Sequence, residues 1–302
     1  MRTTPRRSKI YSLQLPNRKV RLLPSTHGAV NSQQEWVNFT DTMLGELNWE
    51  STVAYSDDLS TFSPDFETHL IHLRQLFVRL RDHNVRISPK KMQLARSEVS
   101  YVGLIVNEHG VKTDPKSIDA IAKMELPATL KGLRRWLGVT GWWRKFIRHY
   151  ARITDPLRTL LQKGKFTADF TPKQIEALKK LRTARTTAPI LAHPRWDRPF
   201  TIFSDGSPTG VGAVLTQKND DGHLCAIAYF SKSLTEAQQG YSQCDIETLA
   251  LLASLEVWAP YFSGSTVQCV VDCESLKYLL QPSSTLDANS GGYSGFRRLT
   301  LT

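Results

Sequence analysis

Residues 200–217, FTIFSDGSPTGVGAVLTQ, read as a strand ending at Asp205, a Gly/Ser/Pro turn and a second strand. Beyond them, LCAIAYFSKSL (224–234) is a third strand and CDIETLALLASLEVWAPYF (244–262) a helix apolar nearly all round. TVQCVVD (266–272) is a fourth strand, and CESLKYLLQ (273–281) opens a second helix. Three strands, a buried helix and a further strand predict an α/β unit whose helix crosses over the sheet. Asp205 closes its strand, Glu247 stands on the first turn of the apolar helix, and Asp272 lies where the fourth strand passes into the next helix. A charge emerging among core-type residues is costly unless compensated, and three acids doing so from separate elements suit a shared divalent cation. Taken singly, each reads equally as a turn or cap acid.

Upstream, TTAPILAHPRWDRP (186–199) reads as a linker, and residues 127–166 have a different character. They hold ten Lys or Arg (Lys131, Arg134, Arg135, Arg144, Lys145, Arg148, Arg152, Arg158, Lys163, Lys165) against one acid, Asp155. Trp136, Trp143, Phe146 and Tyr150 recur at helical spacing and are expected in a helix core. So many cations cannot all be core. A helical subdomain with a basic, partly aromatic face is what gripping a nucleic-acid backbone needs, because cations neutralise phosphates and exposed rings stack on bases.

Further back, apolar residues at Phe66, Leu70, Leu73, Leu76, Phe77 and Leu80 predict an amphipathic helix starting just after Pro64. Residues 85–115 alternate short apolar runs with turn residues, as antiparallel strands with a turn at Asn107 to Gly110 would. Ahead of the helix, STVAYSDDLSTFSPD (51–65) sets Asp57 and Asp58 side by side at what reads as a hairpin tip. Adjacent carboxylates repel, and a divalent metal is one reason to hold them there. A solvated turn is the other reading, since Asp and Ser are ordinary turn residues. Together these describe an α+β unit carrying the Asp pair.

The composition agrees with a nucleic-acid partner. The chain has 302 residues, 40% hydrophobic, with a net charge of +11, enough for two or three domains. Residues 1–34 contain no acid but hold Arg2, Arg6, Arg7, Lys9, Arg18, Lys19 and Arg21, so a polyanionic partner is implied. Pro5, Pro16 and Pro24 interrupt any amphipathic targeting helix there, and disorder is expected over residues 1–25. No apolar run approaches a membrane span, so a soluble protein without a membrane partner is expected. Cys225, Cys244, Cys269 and Cys273 lack metal-ligand spacing and are expected to be reduced, mostly buried thiols of an intracellular protein, cytoplasmic or nuclear.

A resemblance covers almost the whole chain. Residues 28–77 look like the palm of gypsy-like LTR-retrotransposon reverse transcriptases, whose Y-x-D-D hairpin Tyr55-Ser56-Asp57-Asp58 reproduces. Residues 127–164 are similar to their thumb and connection. FTIFSDGSPTGVGAVLTQ, YSQCDIETLALLASLEVWAPYF and VVDCESLKYLL resemble the first three blocks of their RNase H domain. The resemblance implies a partial palm over 26–126, thumb and connection over 127–198, an RNase H-like domain over 199–281 and a flexible tail over 282–302. It implies RNA-directed DNA synthesis and metal-dependent hydrolysis of RNA in RNA/DNA hybrids, with Mg2+ or Mn2+ held by Asp57 and Asp58 at one centre. Asp205, Glu247 and Asp272 would hold it at the other, and Lys131, Arg134, Arg135, Arg144, Lys145 and Arg148 would contact nucleic acid.

The departures shape the expectation too. The family's earlier palm aspartate has no counterpart in the acid-free residues 1–34, and its fingers, last RNase H strand, last helix and fourth acid are unmatched. Polymerase activity is therefore expected to be lost from these 302 residues, and RNase H activity weak or lost, with an unpaired outer edge on the fourth strand. Two other readings stay open: a non-catalytic nucleic-acid-binding remnant, and a structural subunit dimerised with itself or with an intact polymerase.

Overall fold

The computed structural model describes residues 12–15, 18–21, 32–116, 119, 124–162, 166–186, 189–262, 264–271 and 296–301. The chain divides into two compact units, Met1–Ser97 and Glu98–Thr302.

In the first unit, β1 (Ser12–Leu15) and β2 (Arg18–Arg21) pair antiparallel with Leu15 opposite Arg18. This pairing falls within the stretch expected to be disordered. Helix α1 (Ser32–Leu44) follows, then the hairpin of β3 (Thr52–Tyr55) and β4 (Asp58–Thr61), then α2 (Phe66–Asp82). Asp65 caps α2 by accepting the Thr68 N–H at 2.8 Å, which fixes the start that Pro64 announced. Met43, Leu44, Leu76 and Leu80 form the buried core, with Phe39, Ala54, Leu59 and Val85 packed on it. The apolar stripe of α2 is split: Leu76 and Leu80 face this core, while Phe66, Leu70 and Phe77 are exposed. Residues 84–97 carry no strand, although their apolar runs resemble one; pairing begins only at Glu98.

The second unit opens with an antiparallel meander of β5 (Glu98–Tyr101), β6 (Leu104–Asn107) and β7 (Gly110–Thr113), turning at Asn107 to Gly110 as the sequence predicts. Helices α3 (Leu130–Trp142), α4 (Tyr150–Arg158) and α5 (Pro172–Thr186) bury Leu133, Trp136, Ile147, Tyr150, Leu157, Leu178 and Leu181 against one another. The segment read as a linker is held by backbone pairing: Leu191 exchanges hydrogen bonds of 2.8 and 2.9 Å with Val111, and the Ala192 N–H donates to Ala226 O at 2.8 Å.

The main sheet contains β8 (Phe200–Ser207), β9 (Gly210–Lys218), β10 (Leu224–Ser233), β11 (Ser265–Val270) and β12 (Phe296–Leu301). Its order is β10-β9-β8-β11-β12, with β8 antiparallel to β9 and parallel to β11. Helix α6 (Gln243–Trp258) makes the crossover. Phe200, Ile202, Leu215, Leu251, Trp258, Phe262 and Val267 fill the layer between helix and sheet. Cys269 is buried there, which pushes its thiol up to about 12, whereas Cys225 and Cys244 are only half-buried. Cys273 lies outside the described residues.

Two expectations about the sheet are corrected. Strand β8 does not end at Asp205 but runs on to Ser207. The outer edge of β11 is paired: β12 lies parallel to it within the stretch read as a flexible tail. The residues RRLTL retain strand-forming character, and an open row of N–H and C=O groups on β11 offers them a template.

At Gly206 strand β8 and helix α6 approach closely. A Cβ there would lie 2.7 Å from Ile246 Cγ2 and 3.2 Å from the Glu247 nitrogen. Ile246 is β-branched and the second neighbour is backbone, so neither gives way cheaply. Gly206→Ala is expected to cost about 1–3 kcal/mol. The urea midpoint read by tryptophan fluorescence checks it; an unshifted midpoint would show the contact to be looser than described.

Candidate functional site

In the first unit, Tyr55 pairs with Asp58, leaving Ser56 and Asp57 as a two-residue turn. Ser56 has φ of 55°, the left-handed backbone such tight hairpins demand at their first turn residue. Helix α1 holds this turn: Trp36 Nε1 donates to Ser56 O at 2.5 Å and Gln33 Nε2 to Ser56 Oγ at 3.2 Å. Asp57 and Asp58 are both exposed beside it. The hairpin that the sequence predicts is therefore present, and its tip is braced by a neighbouring helix.

In the second unit, strand alternation decides where each acid goes. Gly206 faces α6, and Asp205 is exposed. Glu247 lies at the start of the second turn of α6, not the first, and is only 7% exposed. Gln243 Nε2 donates to both Glu247 Oε1 at 2.8 Å and Gly206 O at 3.1 Å, tying the carboxylate to the residue after Asp205. Asp272 lies outside the described residues. Among the described residues, no three acids, histidines or cysteines converge as a metal cluster. The side chains expected at the two centres are carboxylates, the hard ligands that Mg2+ and Mn2+ take, so the residue types fit such an ion.

The basic segment sorts cleanly. Lys131, Arg134, Arg135, Arg144, Lys145, Arg148, Arg152 and Arg158 are all exposed, while Trp136, Trp143, Phe146 and Tyr150 are buried, as their spacing predicts. Among the six Trp, Phe and Tyr rings of this segment Trp142 alone is largely exposed and free to stack. Thr129 caps α3 by accepting the Gly132 N–H at 3.0 Å, and Tyr150 Oη meets Thr140 Oγ1 at 3.0 Å, so the basic face stands on a fixed base. The Lys145 ammonium lies 5.3 Å from the Phe146 ring centroid, and desolvation lowers its pKa. Lys163 and Lys165 lie outside the described residues.

The start of α4 also meets the nuclease-like sheet. His149, Ala151 and Arg152 line a recess with Asp205, Ser207 and Ser231. Burial and the neighbouring Arg148 hold the His149 imidazole below its usual pKa, against the pull of Asp205. Sequence spacing counts Arg152 among the cations of its segment but gives no sign that it meets Asp205. No helix among the described residues is long and apolar enough to cross a membrane.

A five-stranded sheet in this order, one helix crossing over it and acids on the central strand and that helix, define a ribonuclease H-like fold. The hairpin of the first unit is of the polymerase-palm type. Residues 170–269 match the RNase H-like domain found in reverse transcriptase, and residues 16–106 match reverse transcriptase, the RNA-dependent DNA polymerase family. The chain carries reverse transcriptase and RNase H-like segments of the retrotransposon Pol kind.

The relatives agree. The chain is 31% identical over 275 residues, 87% of its length, to the Retrovirus-related Pol polyprotein from transposon opus of Drosophila melanogaster, of which it covers 27%. It is 30% identical over 79% of its length to the Transposon Tf2-3 polyprotein of Schizosaccharomyces pombe, covering 18% of it. The chain thus spans about a quarter or less of these relatives. In fold it is similar to the foamy viral protease-reverse transcriptase dRH in complex with dsDNA, at a TM-score of 0.79 and 20% identity over 94% of this chain and 50% of that one. The same enzyme in complex with RNA/DNA hybrid gives a TM-score of 0.76 at 20% identity over 94% of this chain and 39% of that one.

Proposed function

We propose that this chain grips RNA/DNA hybrid or duplex through the basic face of α3 and the residues after it, and presents two carboxylate centres to the gripped nucleic acid. Asp57 and Asp58 are the acids of the family's polymerase centre, whose activity is expected to be lost from these 302 residues, and Asp205, Glu247 and Asp272 are those of its RNA-hydrolysing centre, whose activity is expected to be weak or lost. The observation that supports the reading is the link from the buried Glu247 through Gln243 to the backbone of Gly206, the residue after Asp205. A divalent ion bound there would supply charge stabilisation and an activated water for in-line displacement of a phosphodiester. The protein's own residues fix the donors: Gln243 orients one oxygen of Glu247, and the glycine at 206 lets strand and helix close on each other. The foamy viral complexes support the partner class, since one contains dsDNA and the other an RNA/DNA hybrid.

Mn2+ binding and Mn2+-dependent cleavage of a labelled RNA/DNA hybrid test this on the 302-residue chain. Asp205→Asn is expected to weaken Mn2+ binding at least about tenfold, since even partners of a ligand cost that much. It should abolish any cleavage of the RNA strand while leaving hybrid affinity within about twofold, because the cations supply the affinity. Mn2+ binding indifferent to the substitution would remove Asp205 from the metal site and leave a nucleic-acid grip without this centre.

A further inference from the structure

Helix α4 belongs by sequence to the basic segment, yet it is seated on the nuclease-like sheet. The Ala151 N–H donates to Ser231 Oγ at 2.9 Å in a buried hydrogen bond. Two glycines of β9 lie beneath the contact. A Cβ on Gly210 would lie 3.5 Å from Ala151 Cβ and 2.9 Å from Lys232 O, and one on Gly212 would lie 4.0 Å from His149 Nδ1. Gly212 stands opposite Asp205 on one side and Ser231 on the other, so His149 lies over the row that contains the acid. His149 reaches that place through a left-handed backbone, φ 56°, which is uncommon for a residue with a side chain and is tolerated where surrounding packing fixes it.

The recess so formed is small, about 20 Å3, enough for one water-sized group and too small for a base or a sugar. Its polar lining residues are His149, Arg152, Asp205, Ser207 and Ser231. The hydroxyls are already engaged: Ser207 Oγ donates to Gly210 O at 2.7 Å, and Ser231 Oγ accepts from Ala151. Arg152 is the charged donor of the recess, exposed at its rim. An arginine and an aspartate lining one recess with space for a single oxygen suit one non-bridging oxygen of a phosphodiester.

Resting on the reading of Asp205 as part of the nuclease centre, we propose that this centre is composite, with Arg152 of α4 holding the phosphate next to the one that faces Asp205. Basic grip and nuclease corner then form one continuous phosphate track, and α4 is its joint. Arg152 is here a positioning residue: it fixes the register of the strand at the centre without touching the bond that breaks.

The test uses the 302-residue chain and a set of RNA/DNA hybrids, each with a single uncharged methylphosphonate at one position of the RNA strand. In the unsubstituted protein, one or two positions should weaken binding when neutralised. The Arg152→Gln protein should lose the penalty at one of them and show a salt slope flatter by about 0.9. Arg158→Gln, on the same helix, should keep the full penalty profile. The position whose penalty appears only with Mg2+, and disappears in Asp205→Asn, should lie within about two phosphates of the Arg152 position, given a rise of 3.4 Å per strand. A profile unchanged by Arg152→Gln refutes the phosphate contact, and so does an Arg152 position far along the strand from the Mg2+-dependent one. Failure of the metal reading shows separately: the Mg2+-dependent penalty is then absent or survives Asp205→Asn, whereas the Arg152 penalty is measured without metal.

Discussion

Alanine at Arg134, Arg135, Arg144 and Lys145 together should flatten the dependence of log affinity for hybrid on log salt by up to about 3.6, or about 0.9 for each phosphate no longer neutralised. Between 50 and 200 mM salt such a difference in slope changes the loss of affinity by about 150-fold. All four side chains are exposed, so the substitution removes charge without opening the core beneath, where Leu133, Trp136 and Phe146 remain. Fluorescence anisotropy of a labelled hybrid across that salt range measures the slope, and circular dichroism confirms that the helices persist. Equal slopes for the two proteins would move the interface elsewhere on the chain.

Gly110→Ala should be the most damaging single substitution for stability, costing about 3 kcal/mol or more. Two independent effects combine. Gly110 has φ of 141°, a backbone region that only glycine enters at low cost, and a Cβ there would lie 2.1 Å from the Leu191 carbonyl oxygen. That oxygen accepts the Val111 N–H, so it cannot retreat without giving up the pairing that ties the 191 segment to β7. Hydrogen exchange at the Val111 and Leu191 amides should accelerate before the rest of the unit is affected. Unchanged protection at both amides, with an unchanged urea midpoint, would contradict the assigned backbone geometry.

What could be seen in the sequence was what is local. Tyr55 to Asp58 announced a hairpin because a two-residue turn needs no distant partner, and Pro64 with the apolar spacing after it announced a helix whose start Asp65 caps from three residues away. The burial of Trp136, Trp143, Phe146 and Tyr150 followed from helical spacing alone. The reading weakened wherever a residue's environment is supplied from afar. Leu191 looked like linker because its partner, Val111, is far up the chain. Phe66, Leu70 and Phe77 belong to the apolar face that spacing predicts yet are exposed, because spacing shows a face without showing what lies against it. Glu247 was recognised as an acid in apolar company, yet its link to Gly206 depends on a glutamine at 243 that carries no signal of its own. The strand pairing of residues 296–301 was hidden for the same reason, since only the edge of β11 gives those residues something to pair with.

The hydrogen bond from Ala151 to Ser231 joins residues 80 positions apart. Closing so long a loop is entropically expensive, and local helix formation in α3 and α4 brings no part of that contact into place. During synthesis residues 130–158 emerge from the ribosome before Ser231, so the contact that seats α4 on β10 cannot form until that strand has been made. A chain interrupted before residue 231 would keep its cations and lose the anchor that orients them.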